Sequence, residues 1–147
     1  VSVVSLVDVD GAVRAWVNGI PGLTGVGNPL PNGVHFGARS PSQGAWAELR
    51  GVVTRQPSDV ADIPRYSVAV KAVGSKQDSG AYYAASRAAL ALARAVVEKH
   101  GVGVVTTARG DLVRIVGTGD ANGPTYLGNE GGEETFLLDF AIVAQPA

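Results

Sequence analysis

The stretch from Arg65 to Gly101 does most to limit what this chain can fold into, because two periodicities meet inside it. In RYSVAVKAV, Tyr66, Val68, Val70 and Ala72 alternate with Ser67, Ala69 and Lys71, the period of two that a half-buried strand requires. After the polar turn from Gly74 to Gln77, AYYAASRAALALARAVVEKH runs without Gly or Pro up to Gly101. Asp78 or Ser79 caps the start of this helix and Gly101 its end. Tyr82, Ala85, Ala89, Leu92, Ala93 and Val96 fall on one side, predicted to face the core, with Arg87, Arg94 and Glu98 opposite. A strand leading into an amphipathic helix is a scaffold unit, so function must come from what surrounds it.

A chain of 147 residues with 46% hydrophobic and 17% charged residues is long and apolar enough to bury one core, and a single domain over residues 1–147 is expected. No apolar run approaches the roughly 20 residues that span a bilayer, and the first residues, VSVVSLVDVDG, lack the basic start and cleavage site of a signal peptide. These features give the expectation of a cytoplasmic protein with no membrane partner. The absence of Cys removes disulfides, thiolate nucleophiles and Cys-ligated zinc together.

Charge is distributed unevenly. All 12 Lys and Arg lie at or before Arg114, with eight of the 13 acidic residues, so the first 119 residues carry +4 and the last 28 carry −5. Such a distribution fits solvated charges on separate surfaces, and it also fits a self-complementary surface suited to head-to-tail association. No block is basic enough for a dedicated nucleic-acid binder.

In chain order, Ser5 and Asp8 form a capping pair that opens a short helix, in which Leu6, Val9, Val13, Trp16 and Val17 recur at helical spacing until Asn18-Gly19 ends it. From Ile20 to Gly33, four Gly and three Pro predict a long loop, and Pro21, Leu23, Pro29, Leu30 and Pro31 are its candidate partner-docking residues. Val34 to Arg39 and Ala45 to Arg55 read as two strands of a hairpin, with Trp46, Glu48, Arg50 and Val52 sharing a face. Asp59 and Asp62 read as a capped turn rather than a metal pair, since no His or third carboxylate lies near them. After the long helix, 102–107 and 112–117 flank a turn at Ala108 to Asp111. A Gly-rich loop is then expected over 117–132, and EETFLLDFAIVAQP is the strongest strand signal of all, with Phe136, Leu138, Phe140 and Ile142 in one row.

Catalytic signatures are sparse. His35 and His100 are the only imidazoles, far apart and outside any ligand spacing, and His100 reads as a helix C-terminal residue. Gly117 to Gly123 does not match the dinucleotide fingerprint, no Gly-Lys-Ser/Thr follows it, and no Gly-x-Ser-x-Gly elbow is present. No catalytic, metal-binding or cofactor-binding residues are therefore assigned, and an enzyme is not expected.

The expected fold is α+β, a mostly antiparallel sheet of about five strands with two helices packed on one face, in the order α-β-β-β-α-β-β. On the segments AWVNGIPGLTGVGNPLP, DIPRYSVAV leading into an alanine-rich helix, and GPTYLGNEGGEETFLLDFAIVA, the chain resembles the tail terminator proteins of long-tailed bacteriophages. The resemblance rests on Trp16 with Pro21-Gly22, on Asp62 to Arg65, and on Gly123-Pro124 with Tyr126, and it covers nearly the whole chain.

That resemblance implies a structural virion protein assembled in the host cytoplasm. It would form a homo-oligomeric ring, typically of six subunits, at the head-proximal end of the tail tube, where it ends tube polymerisation and docks the head-completion or neck protein. DNA would pass through the lumen without sequence-specific binding, and no cofactor is implied. For the ring contacts, Glu130, Glu133 and Glu134 of one subunit are expected to approach Arg50 or Arg55 of the next. The alternatives are a neck or head-completion protein of the same junction, or a small α+β ligand-binding module with a pocket beside the Gly-rich segment at 117–123.

Overall fold

The computed structural model describes residues 9–36, 44–55, 64–74, 79–98 and 102–147. Ser5, Asp8, Asp59, Asp62, Asp78, His100, Gly101 and the turn expected after Arg39 lie outside that set. The elements run α1 (Val9–Asn18), β1 (Val34–Phe36), β2 (Trp46–Arg55), β3 (Pro64–Val73), α2 (Ser79–Glu98), β4 (Gly103–Thr106), β5 (Leu112–Glu130) and β6 (Glu133–Pro146). They form an α+β fold with one six-stranded sheet in the order β1-β2-β3-β6-β5-β4.

β3 and β6 are the middle of the sheet, paired antiparallel without interruption from Arg65↔Ala141 to Val73↔Glu133. The row Tyr66, Val68, Val70 and Ala72 is buried, as are Phe136, Leu138, Phe140 and Ile142 opposite. Both helices join these rows in one hydrophobic cluster, α1 through Ala12, Val13, Trp16 and Val17, α2 through Ala81, Ala85, Ala88, Ala89, Leu92, Ala95 and Val96. Phe140 sits between Trp16 and Tyr66, with ring centroids 6.3 and 6.2 Å away. Alanines dominate the inner side of α2 because a close helix-to-sheet approach leaves no room for larger side chains.

Three expectations need correction. β1 and β2 are not a hairpin: they pair in parallel, Val34 against Ala47. The sheet has six strands rather than about five. The Gly-rich segment is not a loop, because β5 runs through it and pairs with β6 from Val113 to Glu130, with several register shifts. The physical reason is visible at Gly123, whose φ is +104°, and where a Cβ would lie 2.7 Å from the Leu137 carbonyl oxygen. Glycine there lets two backbones press together where any side chain would force them apart.

The inner side of α2 is also rotated slightly from its predicted position. Tyr82 is 42% exposed rather than in the core, because it lies at the rim against Tyr126 and Phe136, with ring centroids 5.1 and 5.3 Å distant. Among the described residues, no helix is long and apolar enough to cross a membrane.

Candidate functional site

The long connection after α1 is tied down at both ends. Asn18 accepts the Val34 amide through Oδ1 at 3.2 Å, and its carbonyl accepts the Thr24 hydroxyl at 3.1 Å. Within it the Leu30 amide donates to the Leu23 carbonyl at 2.9 Å, and Asn28 Nδ2 donates to the Thr24 carbonyl at 2.7 Å. Leu23 and Leu30 are buried, so two of the five candidate docking residues anchor the loop to the core and cannot face a partner. Pro21 is exposed, while Pro29 and Pro31 are half-buried. His35 is held locally, its Nε2 lying 2.7 Å from the Asn32 carbonyl oxygen.

The three glutamates of the β5–β6 hairpin separate into three environments. Glu130 is exposed at the end of β5. Glu133 accepts Lys71 Nζ at 3.2 Å. Glu134 is 2% exposed, and its carboxylate accepts the Tyr126 hydroxyl at 2.5 Å. Glu133 and Glu134 therefore spend their charge inside the subunit, and of the three only Glu130 faces outward. Arg50 and Arg55 lie on β2, but their side chains are outside the described set.

Two polar constellations emerge that sequence reasoning missed. On the sheet row opposite the main core, Trp46 Nε1 donates to Glu48 at 2.8 Å, and Lys71 Nζ lies 3.7 Å from the other Glu48 oxygen as well as near Glu133. Trp46, Glu48 and Lys71 are all buried, and each polar head meets a partner of opposite character, which is what makes their burial tolerable. On the helix side, Glu134 with Tyr126, Tyr82 and Phe136 makes an aromatic cluster over a carboxylate. The phenol of Tyr126 is held above the usual tyrosine range, first by its hydrogen bond to Glu134, then by desolvation and the carboxylate's charge. A signal existed for this site: Glu134 continues the alternate row of Phe136, Leu138 and Phe140 back by two positions, so it was due to point inward.

Two concavities carry functional groups. A pocket of about 550 Å³ opens between α1 and the β4–β5 turn, lined by Asp10, Gly11, Arg14, Asn18, Ala108 and Arg109. It is not beside residues 117–123, where the alternative reading as a ligand-binding module placed a pocket. Its walls are braced: the buried Tyr66 donates its hydroxyl to Asp10 at 2.7 Å, and the turn is closed by Thr107 N–H to the Asp111 carbonyl at 2.9 Å and Asp111 N–H to Thr107 Oγ1 at 3.1 Å. A groove of about 440 Å³ runs along the outer side of α2 against Pro29. Among the described residues, no three His, Asp or Glu side chains gather in a way that could hold a metal ion.

A third feature is an aliphatic strip. Val104, Leu112 and Val116, with Val102 just before β4, are all close to half exposed, Leu112 at 54%. Their strand neighbours Val113 and Ile115 point into the core, so the strip lies on the far side of β4 and β5, with Arg114 among its members. Searches against family models, curated proteins and solved structures return no match to this chain.

Proposed function

We propose that this chain is a structural virion protein of the tail terminator kind, closing into a ring at the head-proximal end of a tail tube, ending its polymerisation and presenting a docking surface for head-tail joining. The observation that carries the reading is the aliphatic strip of Val102, Val104, Leu112 and Val116 at one end of the sheet. Exposed aliphatic side chains gathered on one surface cost solubility unless another protein covers them. The opposite end of the sheet is the three-residue parallel strand β1. A subunit with unlike ends is suited to a head-to-tail contact, which closes into a ring when the rotation per subunit allows.

Side chains rather than backbone pairing carry such a contact at the β5 edge. β4 covers β5 only from Leu112 to Ile115, but the rest of that edge carries register shifts and Pro124. Bulges and proline are the devices that keep an edge from accepting another strand. The expected partners are other copies of the chain, the tail tube protein and a neck protein, with DNA passing through the lumen.

A cryo-electron microscopy map of the virion neck tests the reading directly. The expected result is a ring of this 15.0 kDa subunit between tube and neck; a neck without it overturns the proposal. The braced pocket at Asp10, Arg14 and Arg109 favours a second reading as a small ligand-binding module, which a neck map lacking the subunit would leave standing.

A further inference from the structure

The outer side of α2 is neither polar nor apolar throughout. Tyr83, Arg87, Leu90, Arg94 and Val97 follow one another at steps of four, three, four and three residues, which places them in a single row along the helix. The row points away from the alanine face that packs on the sheet. Tyr83 is 73% and Val97 66% exposed, with Leu90 about half so. Pro29 closes one side, and with Tyr82, Ser86 and Ala91 it gives the row the form of a groove.

Glu98 ends the same side of the helix one turn past Arg94, and within the groove before it the two arginines decide what fits. Among the described residues neither Arg87 nor Arg94 has a hydrogen-bond or ion-pair partner, although both stand beside apolar side chains. Seven residues of helix separate them by about 10.5 Å, with Leu90 between. A complementary occupant presents an apolar anchor to Leu90 and Tyr83 and a carboxylate to each guanidinium, about two helical turns apart. An amphipathic helix with acidic residues seven positions apart has this spacing, and helix-in-groove recognition uses such anchors. Arginine forks suit carboxylates geometrically as well as by charge.

We infer that this groove is the docking site for an acidic amphipathic helix of another protein. A nucleic acid is a poorer occupant, since Tyr83, Leu90 and Val97 interrupt the cations with aliphatic and aromatic surface. A second copy of this chain, docked through its aliphatic strip, would bring Arg114 against Arg87 and Arg94. The inference goes beyond the ring reading and does not rest on it.

The test is fluorescence anisotropy with a labelled amphipathic helical peptide carrying Leu anchors and Glu seven residues apart, beside the same peptide with Lys in place of Glu and a single-stranded oligonucleotide. The expected result is binding of the acidic peptide at least roughly tenfold tighter than either competitor. Arg87→Glu with Arg94→Glu should reverse the preference while leaving the circular dichroism spectrum unchanged, as both residues are exposed. Failure of the acidic peptide to bind, binding indifferent to the double substitution, or tighter binding of the oligonucleotide overturns the inference. So does a loss of self-association, seen by sedimentation, in the double variant, since the occupant would then be a second copy.

Discussion

Tyr126 on β5 donates its hydroxyl at 2.5 Å to Glu134, a carboxylate 2% exposed on the neighbouring strand β6. The two residues are eight apart in sequence and flank the hairpin end, so this bond ties the rim of β5 to the middle of the sheet. It also gives an acidic residue that the strand alternation already points inward a donor for its carboxylate.

The proton on Tyr126 should therefore be hard to remove. The hydrogen bond to Glu134 raises the phenol above the usual tyrosine range, so the folded state keeps this proton to higher pH than the unfolded state does. The associated stability is complete below the ordinary tyrosine range and is lost as pH rises through the raised value. Ultraviolet titration of the tyrosinate band in the wild type and in Glu134→Gln should show Tyr126 losing its proton at lower pH once the carboxylate acceptor is removed. Identical titration curves for the two proteins would contradict the assignment.

Tyr126→Phe tests the same bond from the other side. It leaves the buried Glu134 carboxylate without its tyrosine donor, and the urea-denaturation midpoint should fall. An unchanged midpoint would mean that water replaces the phenol without loss.

Lys71 stands between Glu48 and Glu133 on the other side of the sheet. Lys71→Met keeps the stem but removes the buried cation that faces Glu48 and Glu133, and should destabilise by about 3–5 kcal/mol. Glu48→Gln should cost less, because its amide oxygen can still accept from Trp46 Nε1. If Lys71→Met is neutral, the network contributes nothing to the fold.

Gly33 has φ +68°, and a Cβ there would lie 2.7 Å from Asn18 Oδ1, the atom that accepts the Val34 amide. Gly33→Ala should lose about 1–2 kcal/mol through the left-handed backbone alone, and more if Asn18 is displaced. Thermal unfolding of the single variant and of its combination with Asn18→Ala separates the two contributions.

Much of the frame was legible in residue order. Period-two alternation located β3 and β6 and their buried rows, Asn18-Gly19 marked the end of α1, and an uninterrupted alanine-rich run marked α2. Each is a local signal, set by which side chains fall on one face of one element. Strand direction was not legible, because nothing in Val34 to Phe36 reports whether its neighbour runs with it or against it. Glycine at 117–123 pointed to a loop, since sequence shows conformational freedom but not the close backbone approach to Leu137 that makes the same glycine suit a bulged strand. The charge asymmetry had the same limit. Sequence determined that the last 28 residues carry −5, but only the tertiary structure decided that Glu133 is neutralised by Lys71 and Glu134 is buried beneath Tyr126. Formal charge belongs to the residue, whereas the field it presents to a partner depends on which groups folding brings within a few ångströms of it.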